Sequence, residues 1–164
     1  MTSSSLNYPL LSIPAYYIFS IIPHVYASSI LSSAGYNLNN ANPKASLSPV
    51  AVKGKVPDEV FQRYQRAENA QSNNIEQLPL YATAVLASII AERVTARGLG
   101  NAAVGDDATG LAFFICAFMA VRAAYIVSYI NIADHSKSFI RSMFWATGAA
   151  LSGYQIYKAA ALLG

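Results

Sequence analysis

Apolar residues along this chain gather into four long stretches separated by polar connections. The first, residues 8–32, carries no charged side chain and exceeds the roughly 20 residues that cross a bilayer as a helix. A connection rich in Asn, Pro, Ser and Lys follows over 33–57, punctuated by Asn42-Pro43-Lys44 and Val56-Pro57-Asp58. Pro57-Asp58-Glu59 reads as a helix start, with proline in the first turn and two acids beside the positive end of the helix dipole. The helical pattern then continues to Arg97, so the second helix, residues 60–97, is longer than its apolar part, and Pro79 is expected to bend it. Residues 97–110 read as a loop, 110–132 as a third span, and a polar turn over 131–137 leads to a fourth, residues 138–163. The predicted architecture is all-α: one membrane domain over 1–164 built from a four-transmembrane-helix bundle.

Two of these helices carry polar stripes. Arg66, Asn69, Asn73 and Glu76 stand at spacings of three, four and three, which places them on one helix face leading into the apolar run Leu78 to Ala91. Arg122, Tyr125 and Tyr129 stand at spacings of three and four inside the third span. Ionisable groups within apolar helices are costly unless they face one another or a wet cavity, so they mark functional positions. Two stripes predict a polar pocket between helices, with Glu76 meeting a ligand ammonium or an arginine such as Arg122.

Composition narrows the class. Hydrophobic residues make up 54% and charged residues 12% of the 164-residue chain, against about 25% charged in soluble domains, which favours a membrane protein. Cys116 is the only cysteine, so no disulfide closes within the chain. His24 and His135 have no companions spaced for a metal or a catalytic triad, so both read as structural and no metal site is expected. The net charge of +3 is scattered rather than clustered, which argues against a nucleic-acid partner. Met1 to Asn7 lacks the basic residues of a secretory leader, so the first stretch is expected to stay as a span, with Pro14 and Pro23 tolerated inside it. Lys44, Lys53, Lys55, Arg63, Arg66, Lys137 and Arg141 lie on the side of loops one and three, against Arg93, Arg97 and Lys158 on the other. That asymmetry predicts loops one and three in the cytosol, with the polar stripes opening there.

The run from Arg66 through Glu76 to Pro79 resembles the second-helix motif of the MAPEG superfamily, the membrane-associated proteins in eicosanoid and glutathione metabolism. Microsomal glutathione transferases, leukotriene C4 synthase and microsomal prostaglandin E synthase belong to it. The spacing of Arg122, Tyr125 and Tyr129 is similar to the family's third helix, and Arg141-Ser142 resembles the start of its fourth. The resemblance implies a homotrimer in the endoplasmic reticulum or another intracellular membrane, with three glutathione sites between subunits near the cytosolic surface. It implies that Asn73 and Glu76 grip the peptide part of glutathione and that Gln71 reaches a neighbour's site, with Arg66 as the candidate to substitute, through its longer reach, for an arginine that the motif lacks here. Arg122, Tyr125 and Tyr129 are implied to hold carboxylates and backbone groups, and Arg141 to sit beside the thiol.

One position departs from the motif. Many relatives have an arginine seven residues before the glutamate, where this chain has Asn69, and Gln71 stands where several have histidine. Arg66 is one turn earlier, about 4.5 Å along the axis at 1.5 Å per residue. Three functions follow. The first is a glutathione-dependent transferase or peroxidase acting on lipophilic electrophiles. The second is a glutathione-independent isomerase or cyclase using the same pocket on a lipophilic metabolite. The third is a lipid-binding scaffold without catalysis.

Overall fold

The computed structural model describes residues 6–98 and 107–164. Its elements in chain order are α1 (Tyr8–Ser33), two short turns α2 (Pro43–Ser46) and α3 (Pro49–Val52), α4 (Asp58–Gly98), α5 (Leu111–Asn131), a 3₁₀ turn (His135–Lys137) and α6 (Phe139–Leu163). The described residues are all-α, and α1, α4 and α5 are long and apolar enough to cross a membrane. α6 is of matching length at 25 residues, but Arg141, Gln155 and Lys158 make it less apolar. Most of the expected loop after Arg97 lies outside the described residues.

The caps follow from local sequence. Asn7 accepts a hydrogen bond from Leu10 N and precedes the proline-containing first turn of α1. Asp58 and Glu59 occupy the first turn of α4, which runs unbroken through Pro79. Gly110 starts α5 at φ +69°, where a Cβ would come within 2.9 Å of Lys158 Nζ, so glycine answers both a left-handed backbone and a close approach. Asp134 caps the 3₁₀ turn, and the hydrogen bond from Ser136 N holds its carboxyl below the ordinary pKa.

α4 is the central helix and packs against α1, α5 and α6. Two apolar layers flank a polar one. Toward loop one, Ala27, Leu31, Val52, Tyr64, Ala67 and Ile130 form one layer. Toward the other end, Tyr81 stacks on Phe118 at 4.5 Å between centroids, and Tyr16 meets Phe118 edge-on at 5.1 Å. Below the aromatics, Gln155 Nε2 donates to Ser88 Oγ at 2.9 Å and to Thr109 Oγ1 at 3.0 Å. Thr109 in turn donates to Glu92 Oε1 from its hydroxyl at 2.6 Å, which ties the start of α5 to α4 and α6.

His24 is not isolated in the fold. Its Nδ1 lies 2.9 Å from Glu68 Oε1, linking α1 to α4. That pairing joins residues 44 positions apart and has no local signature.

Candidate functional site

Between the two apolar layers, α4 and α5 meet through asparagines and an arginine. Arg122 is fully buried. Its Nε donates to Asn74 Oδ1 at 2.8 Å and its Nη2 to the Asn73 carbonyl at 3.2 Å. Tyr16 reaches across from α1 to donate to the Asn74 carbonyl at 3.0 Å. The guanidinium lies over the Tyr125 ring at 4.2 Å, a cation–π contact worth about 2 kcal/mol when desolvated. Nη1 of Arg122 and Oε1 of Gln77 are buried without hydrogen-bond partners. Among the described residues the ion pair is His24–Glu68, and Arg122 has no acidic partner among them.

In front of this layer lies a cavity of about 290 Å³ lined by Asn73, Tyr125, Tyr129, Ser138, Arg141, Ser142 and Trp145. Asn73 Nδ2 donates to Tyr125 Oη at 2.8 Å, which leaves the phenolic proton free for a ligand. Arg141, at the first turn of α6, lies over the Tyr129 ring at 4.6 Å. Each tyrosine thus carries a guanidinium on its face, and no carboxylate lines the cavity. The site is a donor-rich, electropositive pocket suited to an anion.

The sequence-predicted residues divide into three groups. The cavity brings together Asn73, Tyr125, Tyr129 and Arg141. Arg122 and Arg66 lie close by but are engaged in holding the protein: Arg122 as above, and Arg66 through Nε to the Ile130 carbonyl at 2.9 Å, at the negative end of α5. Glu76 and Asn69 are exposed on the outer face of α4, and half-buried Gln71 does not line the cavity. The expected pairing of Glu76 with Arg122 is therefore replaced by Arg122 with Asn74, because Glu76 points out of the bundle.

Sequence reasoning passed over four residues here. Asn74 is off the stripe, and only the Asn73-Asn74 doublet signalled it. Ser138, Ser142 and Trp145 follow Arg141's side of α6, with Trp145 one turn beyond the arginine. A family model described as the MAPEG family matches residues 10–161. The chain belongs to the MAPEG family. No curated protein and no solved structure matches it. The MAPEG match spans all four long helices, and with them both the cavity and the exposed Glu76 face. Membership includes glutathione transferases and eicosanoid synthases, and it agrees with three apolar helices in marking this MAPEG chain as an integral membrane protein.

Proposed function

We propose that this MAPEG protein is a glutathione-dependent transferase or peroxidase for lipophilic electrophiles. It works as a homotrimer of four-span subunits, with its pockets facing the cytosol from the endoplasmic reticulum or another intracellular membrane. The observation that carries the reading is the cavity with a guanidinium stacked on each of two tyrosines and no carboxylate in its lining. Glutathione has two carboxylates and, when bound, supplies a thiol nucleophile. The residues present fit it: the buried Arg122 guanidinium has no acidic partner among the described residues, and an anion in the neighbouring cavity offsets its charge. Asn73 holds Tyr125 in place, Tyr125 donates its free proton to the ligand, and Arg141 holds the sulfur deprotonated. The peptide's ammonium needs a carboxylate, and Glu76 is the one the motif provides.

Glu76 and Asn69 lie exposed on a helix that continues as an apolar span, and a carboxylate there is costly against lipid. Trimer formation covers that face and brings Glu76 and the neighbour's Gln71 to the sites between subunits. Native mass spectrometry in mild detergent is expected to give trimers; a stable monomer as the sole species overturns the assembly. Calorimetric titration of the solubilised protein with glutathione is expected to saturate at one ligand per subunit or per trimer. No heat and no competition by glutathione analogues moves the assignment to the isomerase or cyclase reading, which Asn69 in place of the family's arginine favours.

Glu76 separates ligand holding from packing. Because it is exposed and has no hydrogen-bond partner among the described residues, Glu76→Gln is expected to leave the subunit's thermal unfolding unchanged while weakening glutathione binding more than about tenfold. Asn69→Arg is expected to strengthen binding. Wild-type affinity in Glu76→Gln would remove the carboxylate from the site.

A further inference from the structure

Loop one is folded onto the bundle rather than left as a free arm. Tyr64 donates from its hydroxyl to the Leu47 carbonyl, and Val52 is fully buried in the layer with Ala27, Leu31 and Ala67. Tyr36 is the hub: its hydroxyl donates to the Ser46 carbonyl at 2.7 Å, and Lys55 Nζ lies 5.8 Å from its ring centroid. These contacts bring the α2 turn, which carries Lys44, to the segment that carries Lys53 and Lys55. All three lysines are exposed, and none of their side chains makes a hydrogen bond or ion pair among the described residues. Residues 34–57 contain no carboxylate; the nearest are Asp58 and Glu59 in the first turn of α4, where the helix dipole offsets their charge.

The loop also packs at the level where the long apolar helices end. Arg66, two residues past Tyr64 on α4, bonds the carbonyl of Ile130 in the last turn of the α5 span. The loop is thus packed at the level where α1 ends, α5 ends and α6 begins. Within the one short helix α3, Val52 is 0% exposed and Val50 is 89% exposed. One valine anchors the turn to the bundle and the other projects outward, with Lys44 before it and Lys53 and Lys55 after it in the sequence. An outward apolar side chain in a lysine-bearing, carboxylate-free loop at this level matches the boundary between acyl chains and anionic headgroups.

We infer that Lys44, Lys53 and Lys55, with Val50 as an apolar wedge, form a docking surface for anionic phospholipid headgroups. The surface is separate from the cavity between α4, α5 and α6 and stands whether or not glutathione is the ligand there. Its function is to select the lipid around loop one, and so to set how the protein is seated in the membrane.

Native mass spectrometry of the full chain, from micelles doped with equal phosphatidylglycerol and phosphatidylcholine, tests it. Wild type is expected to retain phosphatidylglycerol on the order of tenfold or more over phosphatidylcholine at low salt, with the preference falling as salt rises. Lys44→Gln, Lys53→Gln and Lys55→Gln combined are expected to abolish the preference with at most a small shift of the unfolding midpoint, since the exposed Lys55–Tyr36 ring contact is the one interaction with the fold that these side chains lose. Val50→Trp is expected to be quenched by lipids brominated near the headgroup beyond the signal of the wild type, whose only tryptophan is Trp145. Equal retention of the two lipids by wild type overturns the inference and leaves the lysines as general positive-inside charges. So does a preference that survives in the triple variant, or a tryptophan at position 50 left unquenched.

Discussion

Arg141→Ala is expected to slow turnover with glutathione and a model electrophile about 100-fold or more while changing glutathione affinity little. An unperturbed thiol has a pKa near 8.5, so at neutral pH only a small fraction is the nucleophilic thiolate. A two-unit depression requires about 3 kcal/mol of preferential stabilisation of the anion, within reach of a partly desolvated guanidinium. Arg141 has the position for this: it lines the cavity from the first turn of α6, where unpaired amides add to its field. The stack on Tyr129 holds its plane, Nε donates to the Ser138 carbonyl at 3.5 Å, and neither Nη makes a hydrogen bond among the described residues. Affinity survives in this variant because Asn73, Tyr125 and Glu76 are untouched. The thiolate absorbance near ~240 nm, developed by wild type on saturation with glutathione, is expected to vanish with the arginine. Full turnover in Arg141→Ala would leave this residue a boundary anchor and return thiol activation to Tyr125, whose free proton is the other donor in the cavity.

Much of the fold was legible because it rests on long-range properties of hydropathy. The four long helices begin and end within two residues of the expected helix bounds, since polar connections and proline-led starts such as Pro57-Asp58-Glu59 are local signals. The pocket was legible in part. Tyr125, Tyr129 and Asn73 line it because spacings of three and four keep residues on one face. A stripe is wider than a contact, however. Asn69 and Glu76 lie on the outer edge of the same face as Asn73, and helical spacing alone does not separate the side turned to α5 from the side turned out of the subunit. The pairing of Arg122 with Asn74 was not legible, because Asn74 comes from another helix 48 positions away, and Tyr16, which bonds the Asn74 carbonyl, comes from a third. The His24–Glu68 pair and the tie from Gln155 through Thr109 to Glu92 were hidden for the same reason.

Arg122 gives the sharpest separation between charge and shape. The expected order of stability, read as the unfolding midpoint of the solubilised protein, is wild type above Arg122→Met above Arg122→Lys. Lysine keeps the charge but lacks the planar fork, so a single ammonium cannot reproduce the bonds to Asn74 Oδ1 and the Asn73 carbonyl together with the stack on Tyr125. An under-bonded cation then remains buried between the two apolar layers with no acidic partner among the described residues, at a cost of about 3–5 kcal/mol. Methionine loses the same bonds but removes the charge, and the acceptors it abandons are shared: the Asn74 side chain still lies 3.4 Å from the Tyr16 hydroxyl. Its cost is about 1–3 kcal/mol. At roughly 2–4 °C per kcal/mol for a chain of this size, lysine is expected to lower the midpoint by about 10 °C and methionine by half of that or less. Both variants are expected to bind glutathione weakly, methionine through loss of positive potential beside the cavity and lysine through misplacement of Asn73 and Tyr125. A lysine variant as stable as wild type would mean that the guanidinium's bonds contribute little, and that Arg122 is held in this layer for its charge alone.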